Sequence, residues 1–288
     1  MNLAMKIVHQ VINQKRLFGR IRFPPYKTYV TNSKLVEVTH DESTGISILS
    51  MARPPVNSLN KELLSALNTS LMDVKKKHCK GVILTSSVPN IFSAGMDIME
   101  MYNRTEEQLI EFWQMLQDTW LTLYGLEIPI TAAINGVCPA GGCLLAISCE
   151  YRVFMEGNYS IGLNETKLGI VAPAWFKKVF ANTIGYRKAE LALLQGSMFH
   201  PEKALEIGLV DELAASKTDM IKKCEGYIKS YKNIPALGRS TTKLGLRSNH
   251  LDWLRKNKEA DINEFLTVIQ APSVQVGLKL YLESLKKK

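Results

Sequence analysis

The stretch Pro129-Ile130-Thr131-Ala132-Ala133-Ile134-Asn135-Gly136-Val137-Cys138-Pro139-Ala140-Gly141-Gly142-Cys143 decides the fold. Residues 129–135 form a short apolar run of the kind that fills a buried strand. A glycine turn follows at 139–143, and residues 143–148 then read as a short helix. Upstream, residues 81–85 form another buried strand, leading to the turn Ser93-Ala94-Gly95-Met96-Asp97. Downstream, a strand over 151–154 leads to Ile161-Gly162-Leu163-Asn164-Glu165-Thr166. Strand, turn and helix alternate, which argues for a layered α/β fold. The turns also carry chemistry. Glycine lets backbone come close to a ligand, and a helix N-terminus leaves N–H groups unpaired and favourable to negative charge. Two such ends aimed at one point would make an oxyanion hole, and one carboxylate, Glu165, is placed after them.

Further out, residues 35–39 and 46–51 read as strands around a turn at 41–45. Arg53-Pro54-Pro55-Val56-Asn57-Ser58-Leu59-Asn60 holds two prolines that favour an extended path, and Asn60 is placed to cap the next helix. That helix carries Leu63, Leu64, Leu67, Leu71 and Val74 at helical spacing. Thr105-Glu106-Glu107-Gln108 reads as a capping box that opens a helix with Leu109, Phe112, Trp113, Leu116, Trp120 and Leu123 on one face. An aromatic stripe at this spacing is ordinary core. From Pro173 onward the pattern is mostly helical, with segments at 201–208, 216–231, 240–248, 251–270 and 273–285. The expected organisation is a core over 35–200 and a helical C-terminal region over 201–288.

The net charge of +9 is the kind of balance that nucleic-acid binders show. Its location argues otherwise. Residues 1–34 hold Lys6, Lys15, Arg16, Arg20, Arg22, Lys27 and Lys34 and no acid. Without those seven, 29 bases face 27 acids, which leaves no strong electrostatic footprint. A basic, acid-free leader with apolar residues between the charges is expected to be a mitochondrial transit segment. Cys79, Cys138, Cys143, Cys149 and Cys224 show no CxxC pairing and are expected to be buried thiols in a reducing compartment. The histidines lack metal-ligand spacing, so no metal is expected. No apolar run is long enough to span a membrane.

The segments Phe92–Asp97, Asn135–Cys143 and Tyr159–Gly169 resemble the enoyl-CoA hydratase/isomerase (crotonase) superfamily in order and spacing, over roughly residues 35–260. Within it, Cys138–Cys143 and Gly162–Thr166 are similar to the mitochondrial Δ3,Δ2-enoyl-CoA isomerases. The resemblance implies a β-β-α spiral core with a C-terminal helical region that covers the acyl site and builds a homotrimer in the mitochondrial matrix. It also implies an acyl-CoA thioester as substrate and no cofactor beyond the coenzyme A that the substrate carries. Carried over, the oxyanion donors are the backbone N–H groups of Met96 and Gly141. Ala94, Gly95, Asp97 and Ile98 line the thioester and pantetheine path, and Asn57 and Leu59 border the coenzyme A. Glu165 is the single general base and acid. The superfamily's hydratases have a second glutamate where this chain has Leu144, so isomerisation is expected rather than hydration. Asn164 either hydrogen-bonds the carboxylate or lines the acyl site. The alternatives are another acyl-CoA enzyme of this fold, such as a hydrolase or weak hydratase, or a non-catalytic RNA-binding member.

Overall fold

The computed structural model describes residues 34–77 and 79–286, so the leader expectation falls, but for Lys34, outside the described residues. The elements in chain order are β1 (Val36–Asp41), β2 (Ile46–Met51), α1 (Lys61–Lys76), β3 (Gly81–Ser86), β4 (Asn90–Ile91), α2 (Glu106–Tyr124), β5 (Ile130–Ile134), β6 (Gly136–Pro139), α3 (Gly141–Ser148), β7 (Tyr151–Met155), β8 (Ile161–Gly162), α4 (Ala174–Ile184), α5 (Tyr186–Gln195), α6 (Pro201–Glu206), β9 (Glu212–Ala214), α7 (Lys217–Ser230), α8 (Ala236–Lys256), α9 (Lys258–Ile269) and α10 (Pro272–Lys286).

The strands form two sheets, one of six in the order β1-β2-β3-β5-β7-β9 and one of three in the order β4-β6-β8. Among the strand pairs of the described residues only β1–β2 is antiparallel. From β3 onward the chain repeats one course: a strand in the large sheet, a strand in the small sheet, then a helix. Three such courses (β3-β4-α2, β5-β6-α3, β7-β8-α4) give the β-β-α spiral. Alternation along the large-sheet strands serves two cores. Val82, Leu84, Ile130, Ala132 and Phe154 join the main core, whose largest buried side chains include Trp120, Trp175 and Phe176. Ile83, Ala133 and Val153 face the other way, against Met220, Cys224 and Ile228 of α7. The expected boundary at 200/201 therefore cuts through the sheet. β9 pairs with β7, and α7 closes the sheet's second face, so the helical region proper begins after Ser230.

Local signals hold at several helix starts. Asn60 accepts from the Leu63 N–H at 3.0 Å, and Thr105 with Gln108 forms the capping box. The two prolines do not take an extended path. They lie in a turn closed by the Asn57 N–H on the Arg53 carbonyl (2.8 Å). The long helix α8 docks through a basic stripe. Lys243 reaches the Glu150 carboxylate (2.6 Å), and Arg247 donates to the Tyr124 and Ser148 carbonyls (both 2.9 Å) at the C-termini of α2 and α3. A cation there matches the negative end of each helix. All five cysteines are buried and unpaired. Among the described residues no helix is long and apolar enough to cross a membrane.

Candidate active site

The three sequence segments converge because each follows a strand of the small sheet. β4, β6 and β8 are parallel neighbours, with Ile91 opposite Val137 and Pro139 opposite Gly162. Parallel strands put their carboxyl ends at one edge, where open α/β sheets bind ligands. The 92–97 turn leaves β4, α3 starts directly after β6, and Glu165 begins a short 3-10 turn (Glu165–Leu168) three residues after β8.

The first turn is held from beneath by Asn57. This side chain is fully buried; it accepts from the Arg53 N–H (2.8 Å) and donates to Ser86 Oγ (2.7 Å) and the Phe92 carbonyl (3.1 Å). Ser93 Oγ donates to the Asn57 carbonyl (2.8 Å) and accepts from the Gly95 N–H (3.1 Å). Asn57 thus braces the turn rather than facing a ligand. Removing so connected a group strands several buried partners. Asn57→Ala is expected to cost ~2–4 kcal/mol of stability, read as a fall in urea midpoint at unchanged slope.

Gly95 sits at φ 89, which a side chain resists. Leu59 bridges this segment: its N–H donates to the Gly95 carbonyl (2.8 Å), and its carbonyl accepts from Asp97 N–H (3.1 Å). The two flanking groups being used, the Met96 N–H points to the opposite side. Asp97 caps the next turn through Met99 N–H (3.0 Å) and pairs with Arg53 (3.0 Å). Its charge is engaged there. Ala94 is exposed, Gly95 is buried, and Met96 and Ile98 are half-buried.

In the second turn Ala140 precedes α3 at φ 48, a position that costs a non-glycine residue about 1–3 kcal/mol. Its N–H is fixed on the Gly162 carbonyl (2.8 Å). α3 is wholly buried, and no side chain caps its first N–H groups. A methyl placed on Gly95 would lie 3.4 Å from the Gly141 nitrogen, and one on Gly141 would lie 3.3 Å from the Met96 nitrogen. The two amides therefore flank one small space. Among the described residues neither has a hydrogen-bond acceptor.

Glu165 is only 3% exposed, and both carboxylate oxygens lack a hydrogen-bond partner. Burial pushes its pKa from an ordinary 4.5 up to about 7. Its turn is anchored by Thr166 Oγ1 on the Leu193 carbonyl (2.7 Å) and ended by Gly169 at φ 70. Asn164 makes no hydrogen bond to it; the Asn164 Oδ1 is likewise buried without a partner. Leu144, one turn into α3, is fully buried. Met96 also lines a mostly apolar cavity with Met101, Trp113, Ile170, Val171, Phe265 and Val268, to which Asp261 and Glu264 add two carboxylates. Asn57, Ala140 and Ser93 do the positioning, and only Asn57 stood out in the sequence, with a different role.

A raised carboxylate pKa has a stability consequence whose sign is fixed. The folded chain holds the Glu165 proton more tightly than the unfolded chain does. Below pH 4.5 both are protonated and there is no penalty. Between 4.5 and about 7 the penalty grows, and above 7 it stands at roughly 3 kcal/mol. Glu165→Gln is expected to match the parent's melting temperature at pH 4 and exceed it at pH 8. Equal melting temperatures at both pH values would show that the carboxylate is solvated.

Comparison with known proteins agrees with this architecture. The family described as enoyl-CoA hydratase/isomerase matches residues 41–288. The chain is 44% identical over 258 residues to the Mus musculus protein named enoyl-CoA delta isomerase 1, mitochondrial, covering 89% of each. It is 41% identical to the Homo sapiens protein of that name, covering 88% of this chain and 84% of that one. The crystal structure of human mitochondrial delta3-delta2-enoyl-CoA isomerase superposes with a TM-score of 0.85 at 40% identity, over 88% of this chain and 98% of that one. An enoyl-CoA hydratase from Bacillus halodurans shares the fold at 20% identity and a TM-score of 0.77.

Proposed function

The chain belongs to the enoyl-CoA hydratase/isomerase family, and we propose that it is a Δ3,Δ2-enoyl-CoA isomerase that moves the double bond of a 3-enoyl-CoA to the 2-trans position. The observation that carries this reading is one buried carboxylate without a hydrogen-bond partner, Glu165, beside two acceptor-free amides, with leucine at position 144. The thioester oxygen accepts from the Met96 and Gly141 N–H groups. Glu165 removes a proton from C2, and the electron pair spreads over C2, C4 and the oxygen as a dienolate. The same carboxyl returns a proton to C4. No water is added and no bond to sulfur breaks, so one acid/base suffices. The two amides act on charge that develops in the transition state, where fixed donors are worth most. Ala94, Gly95, Asp97 and Ile98 shape the approach of the thioester and pantetheine, and no cofactor is needed beyond the substrate's coenzyme A.

Because Glu165 must be ionised to start, kcat/KM is expected to rise with pH along one limb with a midpoint near 7. A limb near 4.5 would contradict the burial. The reaction itself is tested by product analysis after incubation with 3-enoyl-CoA and with 2-enoyl-CoA. Conjugated 2-enoyl-CoA from the former supports the reading; 3-hydroxyacyl-CoA or free coenzyme A as the main product overturns it. The names of the mouse and human relatives support a mitochondrial setting, in the matrix if the leader is an import signal. A homotrimer would cover some of the large apolar side chains left on the surface, Tyr186, Leu194, Leu237 and Leu246, and sedimentation equilibrium reads it.

A further inference from the structure

We propose that a cavity at the start of α8 is a second binding site, for a short alkyl carboxylate, with the carboxylate on Arg239 and the alkyl chain against Ile234 and Leu246. The cavity is open and holds about 420 Å³. Glu150, Arg239 and Lys243 line it together with Tyr231, Ile234 and Leu246. It shares no residue with the cavity beside Met96. Glu150 directly precedes β7, so the charged floor lies at the amino end of an inner strand of the large sheet.

That floor carries more positive than negative charge. Arg239, Lys243 and Arg247 recur at every fourth position of α8, on one helix face. Among the described ion pairs Glu150 is the one carboxylate that any of them holds, through Arg239 and through Lys243 (2.6 Å). The Arg239 and Lys243 side chains are only 9% and 7% exposed. Buried charge in excess of its partners is costly. Burial first, with Arg247 and Arg239 adding to it, pulls the Lys243 pKa down to about 8 even with Glu150 beside it. Lys243 spends its donors on Glu150 and on the Leu126 and Ile128 carbonyls. Arg239 keeps one back. Its guanidinium lies 4.5 Å over the Tyr231 ring, with one terminal nitrogen on the Glu127 carbonyl (3.0 Å) and the other on Glu150. Its Nε N–H is buried with no acceptor. A carboxylate oxygen satisfies that donor, and its charge offsets the excess. The walls then choose among anions. Ile234 and Leu246 are 49% and 79% exposed; an alkyl chain covers them, whereas a phosphate leaves them in water.

The test titrates hexanoate, acetate and inorganic phosphate into the whole protein by calorimetry. Hexanoate is expected to bind at least ~10-fold more tightly than acetate or phosphate. Arg239→Gln removes the guanidinium and should weaken hexanoate at least ~10-fold. Leu246→Glu, on the exposed rim, sets a like charge beside the ligand and should do the same with a melting temperature near the parent's. It keeps the test decisive if Arg239→Gln does not fold. Acetate or phosphate binding as tightly as hexanoate overturns the role of the apolar wall and with it the ligand class. Hexanoate binding that persists unchanged in both variants belongs to another cavity and overturns the site. A parent that does not bind hexanoate overturns it too; if Leu246→Glu then also lowers the sedimenting mass, the cavity is covered by a second copy of the chain.

Discussion

Glu165→Gln is expected to lose at least ~10²–10⁴-fold in kcat on a 3-enoyl-CoA while still binding acyl-CoA. Glutamine keeps the length and polarity of the side chain but can neither accept the C2 proton nor supply one to C4. Among the described residues no other carboxylate is buried without a partner. Asp97 is committed to Arg53 and to the Met99 N–H, Asp261 is held by three side-chain donors, and the position that would carry a second carboxylate is Leu144. The variant should therefore show its whole loss in kcat with little change in KM, the sign of an interaction made only in the transition state. A variant that turns over at close to the parent rate would end the single-base mechanism. A variant that no longer binds acyl-CoA would show that Glu165 shapes the pocket as well.

Much of this site was legible because its parts are local. A glycine after an apolar run, a helix start behind it and a lone carboxylate can be read without knowing what lies opposite. The capping box at Thr105 and the stripe on α2 are equally local, and both stand as expected. What brings the parts together was not legible. β4 and β8 are two residues each, Asn90–Ile91 and Ile161–Gly162, too short for any alternation to show. Yet these pairs, with β6, bring the two amides and Glu165 to one sheet edge. The Ala140 backbone gave no signal either, since alanine is an ordinary residue and its positive φ is imposed by contacts made at a distance in sequence. Asn57 was visible but misplaced. An asparagine in a loop beside a ligand segment looks like a ligand contact until burial shows that its bonds run inward. β9 was hidden for a related reason: three residues between two helices complete a sheet begun more than 170 residues earlier. Asp261, in a helical run near the C-terminus, gave no signal, because its three donors, Trp113, Gln117 and Trp175, lie far upstream in sequence.

Gly141→Ala is the second large loss expected, and it separates the oxyanion space from the amides that line it. The substitution removes no donor and asks for no forbidden backbone at Gly141, which starts α3 in an ordinary helical position. Its methyl, however, would stand 3.3 Å from the Met96 nitrogen and 3.0 Å from Leu59 Cδ1. Leu59 is a side chain and can yield by a few tenths of an ångström. The Met96 amide cannot, being held on both sides by the Leu59 bridge. The methyl thus occupies the mouth between the two donors, where the thioester oxygen has to sit. Losing one donor of an oxyanion hole costs about 10²–10³ in kcat, and a methyl that keeps the oxygen from either amide should cost at least as much. Met96→Leu is the matched contrast. It changes only a half-buried side chain for one of similar volume and leaves the N–H in place, so most of the activity should remain. Reduced kcat in Gly141→Ala with a melting temperature near the parent's would assign the loss to the blocked space. Full activity in Gly141→Ala would mean that the thioester oxygen is held elsewhere and that these two amides are only the start of a helix and the edge of a turn.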